Sequence, residues 1–133
     1  MRLVLACGCF DILHSGHLAH LKEARSFGDS LIVALTLDPY VGKPGRPIFK
    51  WEDRAEMLAA LRCVDDVIAS RNSVEAIYAW KPAVFVKGSD YVSKGLLPAE
   101  IAACEEIGAQ IRFTKFHPQT TSELIERIKS CAL

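Results

Sequence analysis

The feature that most constrains this chain is the alternation of short, wholly apolar runs with amphipathic stretches. Residues 3–6 (Leu-Val-Leu-Ala) and 31–35 (Leu-Ile-Val-Ala-Leu) carry no polar position, as strands do when both faces of their sheet are covered. Between them Leu18, Leu21 and Ala24 recur at helical spacing, with Lys22, Glu23 and Arg25 interleaved, the pattern of a helix lying on one side of a sheet. Strand, helix and strand in that order form a βαβ unit, which requires parallel strands.

The pattern then repeats along the chain. Met57, Leu58 and Leu61 predict a helix over 51–62, and 64–69 reads as a strand. A helix over 74–80 is opened by a capping box of Asn72 with Glu75 and stopped by Pro82. Residues 83–86 form the next strand, and a helix from Pro98 through 104–107 closes on Gly108. After a last strand at 111–113, Thr120 with Glu123 opens a final helix whose apolar positions are Leu124, Ile125 and Ile128. Five strands alternating with five helices predict an α/β fold, a Rossmann-like, doubly wound, five-stranded parallel sheet with helices on both faces. One domain over 1–133, half of it hydrophobic residues, has room for such a core.

Charge and cysteine usage limit the partners. Sixteen Lys and Arg balance sixteen Asp and Glu, which excludes nonspecific gripping of nucleic acid or of an anionic membrane and makes any phosphate recognition local. No apolar run approaches the ~18 residues of a membrane span, and the first is too short for a signal-peptide core. Five cysteines, an odd number, read as reduced thiols, so the expectation is a cytoplasmic protein.

Ligands of such sheets bind beyond the carboxyl ends of the strands, which directs attention to residues 8–17, 36–50, 69–73, 87–97 and 114–121. The first segment ends in His14-Ser15-Gly16-His17. Two imidazoles three residues apart at a helix start share one face, beside unpaired backbone N–H groups and the positive end of the helix dipole. That predicts a phosphate site, with Gly16 letting the anion approach the backbone and Gly8 permitting a tight exit from the strand. Residues 42–47 (Gly-Lys-Pro-Gly-Arg-Pro) read as the core of a mobile basic loop that brings Lys43 and Arg46 to phosphates. After the fourth strand, Gly88 can admit a base and Asp90 can hold a ribose or a base amine. Thr120, Thr121 and Ser122 offer a second anion-binding helix start. His14, His17 and His20 step along one helix face and could bind zinc, but no Cys-x-x-Cys pair accompanies them, and the chain is read without a metal site of its own.

Gly8-Cys9-Phe10-Asp11 followed by His14-Ser15-Gly16-His17 resembles the G-T-F-D-x-x-H-x-G-H signature of the cytidylyltransferase-like nucleotidyltransferases. The likeness continues through Arg46-Pro47-Ile48, Arg54-Ala55-Glu56, Val64-Asp65-Asp66-Val67, Lys87-Gly88-Ser89-Asp90-Tyr91 and Thr120-Thr121-Ser122. It implies transfer of a nucleotidyl group from an NTP, taken with Mg²⁺, to a phosphorylated small molecule with release of pyrophosphate, in an enzyme that forms homodimers. It also implies His14 and His17 on the triphosphate and its transition state, with Lys43 and Arg46 on pyrophosphate and acceptor phosphate. Gly8, Cys9, Phe10, Gly16, Lys87, Gly88, Asp90, Thr120, Thr121 and Ser122 then belong to the nucleotide cradle, and Asp11, Lys43 and Arg54 to the acceptor side. Within the family the likeness is greatest to the nucleotidyltransferase domains of ADP-heptose synthases, which implies ATP and heptose 1-phosphate. The glycerol-3-phosphate cytidylyltransferases, using CTP, are the near alternative. A reading of another class is a nucleotide-binding sensor module without chemistry. The chain departs from the pattern at Cys9, which stands for the usual Thr of the glycerol-phosphate enzymes, at Ser89 for a second Gly, and at Lys115 to Gln119, where an Arg and a Gly-containing approach are usual.

Overall fold

The apolar runs become strands because each is covered from two sides. A computed structural model describes residues 1–131. Among these lie strands β1 (Leu3–Gly8), β2 (Ser30–Thr36), β3 (Asp66–Ser70), β4 (Val84–Lys87) and β5 (Gln110–Phe113). They form one sheet in the order β3-β2-β1-β4-β5, and every neighbouring pair is parallel. The helices are α1 (Ser15–Arg25), α2 (Trp51–Ala59), α3 (Ser73–Trp80), α4 (Asp90–Lys94), α5 (Pro98–Ile107) and α6 (Thr121–Ser130).

Alternate residues of each strand serve alternate faces. Val4, Ala6, Val33, Val84 and Val86 pack with Leu21 and Ala24 of α1 and Leu58 of α2. On the opposite face Leu5, Ile32, Ala34 and Phe85 meet Ala76 and Ile77 of α3 and Ala103 and Cys104 of α5. Leu5 and Phe85 have no exposed surface, a burial worth about 2 kcal/mol for each side chain. The doubly wound α/β architecture expected from the sequence is therefore present, with helices on both faces.

Most helix ends obey the local signals. The Asn72 side chain accepts the Glu75 N–H at 2.9 Å and Thr120 accepts the Glu123 N–H at 3.1 Å. In α3 the Glu75 carboxylate turns to Arg71 at 2.7 Å, so only half of the capping box forms. Lys81 stops α3 in the left-handed region ahead of Pro82, and Gly108 closes α5 at φ 77.

Three expectations shift. Helix α2 stops at Ala59 rather than at residue 62, because residues 60–64 wind into turns closed by Leu61 N–H to Leu58 O and Val64 N–H to Leu61 O, both 3.1 Å. Strand β3 starts at Asp66 rather than at residue 64. Buried Val64 leads in from the helix, and Asp65 ties this lead to β2 by accepting the Leu31 N–H at 2.7 Å and donating its own N–H to Leu31 O at 2.9 Å. The short α4, with a 3-10 turn at Asp38–Tyr40, was not anticipated, so the described residues hold six α-helices rather than five. None of them is long and apolar enough to cross a membrane.

From β1 the sheet grows through β2 to β3 in one direction, and through β4 to β5 in the other. The connections therefore diverge between β1 and β4, and the crevice beyond their carboxyl ends is where a ligand fits.

Candidate functional site

A cleft of about 440 Å³ occupies that crevice. Its walls are the β1–α1 turn, Lys43 and Arg46 of the loop after β2, Gly88 to Tyr91 after β4, and the stretch from Thr114 to the start of α6. A groove of about 350 Å³ between α2 and β3 is lined by Glu52, Glu56, Asp65 and Asp66, whose charge repels phosphates. The cleft at the crevice, lined by Lys43, Arg46, His14, His17, His20 and His117, suits an anion.

The β1–α1 turn bends sharply. Phe10 and Ile12 adopt positive φ, 47° and 56°, a conformation that costs a side-chain-bearing residue roughly 1 kcal/mol. Buried Phe10 meets the His17 ring edge-on at 5.3 Å. A Cβ on Gly8 would lie 2.9 Å from the Phe10 ring, so this exit from the strand requires glycine.

His14 is the N-cap of α1. Its Nδ1 accepts the N–H groups of Gly16 at 3.0 Å and His17 at 3.4 Å, while the His14 N–H donates to His17 Nδ1 at 3.3 Å. The two rings stack with centroids 3.7 Å apart. Thr121 donates its hydroxyl to Asp11 O at 3.1 Å, leaving its oxygen to accept from His14 Nε2 at 3.2 Å. This network assigns both tautomers, with Nδ1 the acceptor and Nε2 the protonated nitrogen in each ring. Burial, then the neighbouring His14 and His20, push the His17 pKa down to about 3. Burial and His117 lower that of His14. Both imidazoles are neutral at pH 7, and each presents Nε2–H as its donor.

This arrangement corrects two expectations. The Gly16 and His17 amides at the start of α1 are not unpaired, because the His14 imidazole caps them. The space left by the absent Cβ of Gly16 is also filled: a Cβ there would lie 2.5 Å from Gln119 O and 2.8 Å from the His14 ring. Gly16 thus lets the approach to α6 pack against α1.

Asp11 is 1 % exposed, and its carboxylate accepts Arg46 Nε–H at 2.9 Å, Ile48 N–H at 2.7 Å and Phe49 N–H at 3.0 Å. Burial opposes its ionisation, but these donors win and hold the carboxyl below the ordinary aspartate range. Asp11 is spent on fixing the loop after β2. Arg54 is also turned inward. It is 2 % exposed and donates to Phe49 O, Cys9 O and Thr36 O at 2.8–2.9 Å, with Asp38 closing the ion pair. Its guanidinium ties the β1 exit to the start of α2 and does not line the cleft, contrary to its expected place on the acceptor side. Lys43 is exposed at the cleft mouth.

On the far wall the Lys87 ammonium lies 3.4 Å from buried Glu100 and 4.0 Å from the Tyr91 ring centroid. It is engaged there and is not among the cleft-lining groups, whereas Gly88, Asp90 and Tyr91 are. Cys7 and Cys9 both reach the cleft. Burial pushes the Cys7 thiol up to about 12 and raises that of Cys9, so neither supplies a thiolate nucleophile.

The structure thus brings Gly8, Cys9, Phe10, His14, Gly16, His17, Lys43, Arg46, Gly88, Asp90, Thr120, Thr121 and Ser122 to one cleft, and Asp11 to its wall. Thr114 and His117 fall in the segment 114–121 to which the fold directs attention, without a role assigned from sequence, whereas His20 lies outside every such segment. Its one sequence signal, the helical step from His17, points to zinc. Among the described residues no three His, Cys, Asp or Glu side chains are placed to hold a metal ion.

Comparison with known proteins fits this geometry. The cytidylyltransferase-like family profile matches residues 5–130. The bifunctional protein HldE of Helicobacter pylori is 40% identical over 134 residues, covering 96% of this chain and 28% of that protein. That of Geobacter sulfurreducens is 38% identical over 133 residues, covering 96% and 27%. The chain therefore spans little more than a quarter of these relatives' length. Among solved structures, the lipopolysaccharide core biosynthesis protein of Thermoplasma volcanium superposes with a TM-score of 0.75 at 29% identity, covering 88% of this chain and 98% of that one. Pantothenate synthetase of Thermus thermophilus shares the fold at a TM-score of 0.60 and 15% identity, over 90% of this chain and 57% of its own.

Proposed function

The chain belongs to the cytidylyltransferase-like family, and from that premise we propose that it is a nucleotidyltransferase domain that moves a nucleotidyl group from an NTP to a phosphorylated sugar, releasing pyrophosphate. The observation that carries this reading is the pair of neutral imidazoles, stacked at 3.7 Å with their tautomers fixed, in a cleft that also holds Lys43 and Arg46.

The chemistry asks little of the protein besides placement. An acceptor phosphate oxygen is already an anionic nucleophile. It attacks the α-phosphorus, the bond from that phosphorus to the bridging oxygen of pyrophosphate breaks, and the electron pair leaves with pyrophosphate. No enzyme nucleophile is needed, in keeping with the protonated thiols of Cys7 and Cys9. What lowers the barrier is preorganised donors at the oxygens that gain charge, which His17 Nε2–H and His14 Nε2–H supply without reorganisation. For His14 this means exchanging Thr121 for a phosphate oxygen. Lys43 and Arg46 meet the leaving pyrophosphate and the acceptor phosphate. Gly8, Phe10, Gly88, Asp90 and the Thr120 to Ser122 start of α6 hold the nucleotide, which enters as its Mg²⁺ complex, the ion being carried on phosphate oxygens.

ATP with heptose 1-phosphate is the preferred pair, supported by the 38–40% identity to the HldE proteins and by the likeness of the Gly-Arg-Pro and Lys-Gly-x-Asp-Tyr segments to ADP-heptose synthases. Free cysteines throughout support a cytoplasmic setting. The apolar residue Ile128, exposed on α6, supports self-association as a homodimer. The test is pyrophosphate release with Mg²⁺ across ATP, CTP, GTP and UTP against a panel of sugar and polyol phosphates. Release that requires ATP and heptose 1-phosphate is expected. Release with CTP and glycerol 3-phosphate would shift the assignment to the alternative pair, and nucleotide binding without release from any pair would leave a sensor module.

A further inference from the structure

The floor of the cleft holds a histidine that the reaction as described does not use. His20 lies one turn beyond His17 on α1, and its Nδ1 is 2.6 Å from the hydroxyl of Thr114. Thr114 is 4 % exposed and follows β5 directly, with its own N–H donating to Lys87 O at 3.0 Å. The other ring nitrogen, Nε2, has no hydrogen-bond partner among the described residues, yet it is not a sealed, unsatisfied atom, because no buried side-chain nitrogen or oxygen among those residues lacks a partner. It therefore opens onto the cleft that His20 lines.

The position of that nitrogen defines what it can read. A step of three residues along a helix displaces a side chain by about 4.5 Å toward the C-terminus, so His20 lies one turn further along α1 than His17. It is tied to β5, and the charged groups acting on its ring are Glu23, Lys87 and Asp90. Its surroundings thus combine Glu23 of its own helix with the ends of β4 and β5. Burial holds the imidazole neutral, so one ring nitrogen donates and the other accepts. The Thr114 hydroxyl can serve either tautomer, which allows Nε2 to present a hydrogen or a lone pair. An aromatic ring with a switchable polar edge suits a ribose hydroxyl or a base edge, which present donors as well as acceptors.

We propose that His20, oriented by Thr114, contacts the nucleoside part of the NTP and helps set nucleotide preference. This rests on the nucleotidyltransferase reading for its direction, since that reading seats the nucleoside against Gly88 and Asp90. The experiment follows the imidazole ¹⁵N resonances of the full chain as ATP, CTP, inorganic tripolyphosphate or heptose 1-phosphate is added singly, so that no turnover occurs. ATP or CTP should move the His20 signals, tripolyphosphate should move those of His14 and His17 while leaving His20 in place, and the sugar phosphate should spare His20. Kinetics of His20→Leu should then show KM for the nucleotide raised about fivefold to tenfold, as for the loss of one hydrogen bond, with KM for the acceptor unchanged and ATP-to-CTP discrimination reduced. His20→Gln, which keeps a polar edge, should recover part of the loss.

Equal response of His20 to tripolyphosphate, a rise in acceptor KM alone, or His20 signals indifferent to every nucleotide would each overturn the proposal. If His20→Leu fails to fold, the resonances of the unsubstituted chain decide. Absence of pyrophosphate release by that chain would defeat the reaction, whereas a His20 signal that follows the nucleoside would uphold the contact, so the two failures are told apart.

Discussion

The β1–α1 corner and the loop after β2 face each other across the same cleft and are built on opposite principles. At the corner, His14 and His17 are half-buried, stacked and hydrogen-bonded to backbone, to each other and, from His14, to Thr121. In the loop, Lys43 is exposed between Gly42 and Gly45, both at positive φ, and the segment is pinned through Arg46, Ile48 and Phe49 to a single carboxylate, Asp11. Neutral donors are fixed before the substrate arrives, while charge is carried on an exposed side chain, Lys43. A buried cation would incur a large desolvation cost, whereas a neutral imidazole can be locked in place at little cost. That difference explains why the half-buried corner uses histidine and the exposed stretch of the loop uses lysine.

The contrast breaks most directly at His17. His17→Ala removes a preorganised donor, so kcat should fall by about 100-fold or more, measured as pyrophosphate release, with nucleotide binding retained. Turnover near that of the unsubstituted chain would make the corner a helix cap and nothing else. Asp11 joins the two regions, and Asp11→Asn tests whether the loop depends on the corner. Replacing a carboxylate that serves three donors in a buried site should cost about 3 kcal/mol and lower Tm by roughly 10 °C, with loss of activity through a displaced Arg46. An unchanged Tm would mean that the loop is held from elsewhere. At Lys43 the pattern reverses: Lys43→Ala should lower kcat/KM about tenfold, as for one charge-assisted contact, while stability stays within about 0.5 kcal/mol. A large drop in stability would show that the loop is packed rather than poised.

The same contrast marks how far the sequence could be read. Strands and the sheet's parallel sense were legible because they follow from local runs and from the order of elements, and the His-x-Gly-His step lies within one turn of helix. What lay hidden depends on partners remote in the chain. The His14 tautomer is settled by Thr121, the space at Gly16 is taken by Gln119, and Lys87 is drawn away by Glu100. Arg54 is expected on the acceptor side because an arginine that meets a phosphate and one spent on three backbone carbonyls look alike until the loops that supply those carbonyls are placed. The shifted start of β3 has the same origin, since Asp65 answers to Leu31.

The smallest expected effect is a slope, and it separates the two regions by thermodynamics alone. The His17 pKa is pushed down to about 3 in the folded chain, with burial the largest cause, whereas unfolding returns it to the ordinary value near 6.5. On acidification the unfolded chain therefore takes up the proton first. The stability His17 contributes is complete above pH 6.5 and drains away as pH falls from there toward 3, at a limiting rate of about 1.4 kcal/mol per pH unit for one proton. His14 and His20 are shifted in the same direction, also chiefly by burial, and add to the slope. Asp11, held below the ordinary carboxylate range, contributes a loss only further down, once pH drops below about 4. Melting temperatures taken between pH 7 and 5 should therefore fall for the unsubstituted chain and fall equally for Lys43→Ala. His17→Gln, which cannot titrate, should give a shallower line. A flat profile in the unsubstituted chain over that interval would show that the imidazoles are solvated and free to charge, and the corner would then be as adaptable as the loop it faces.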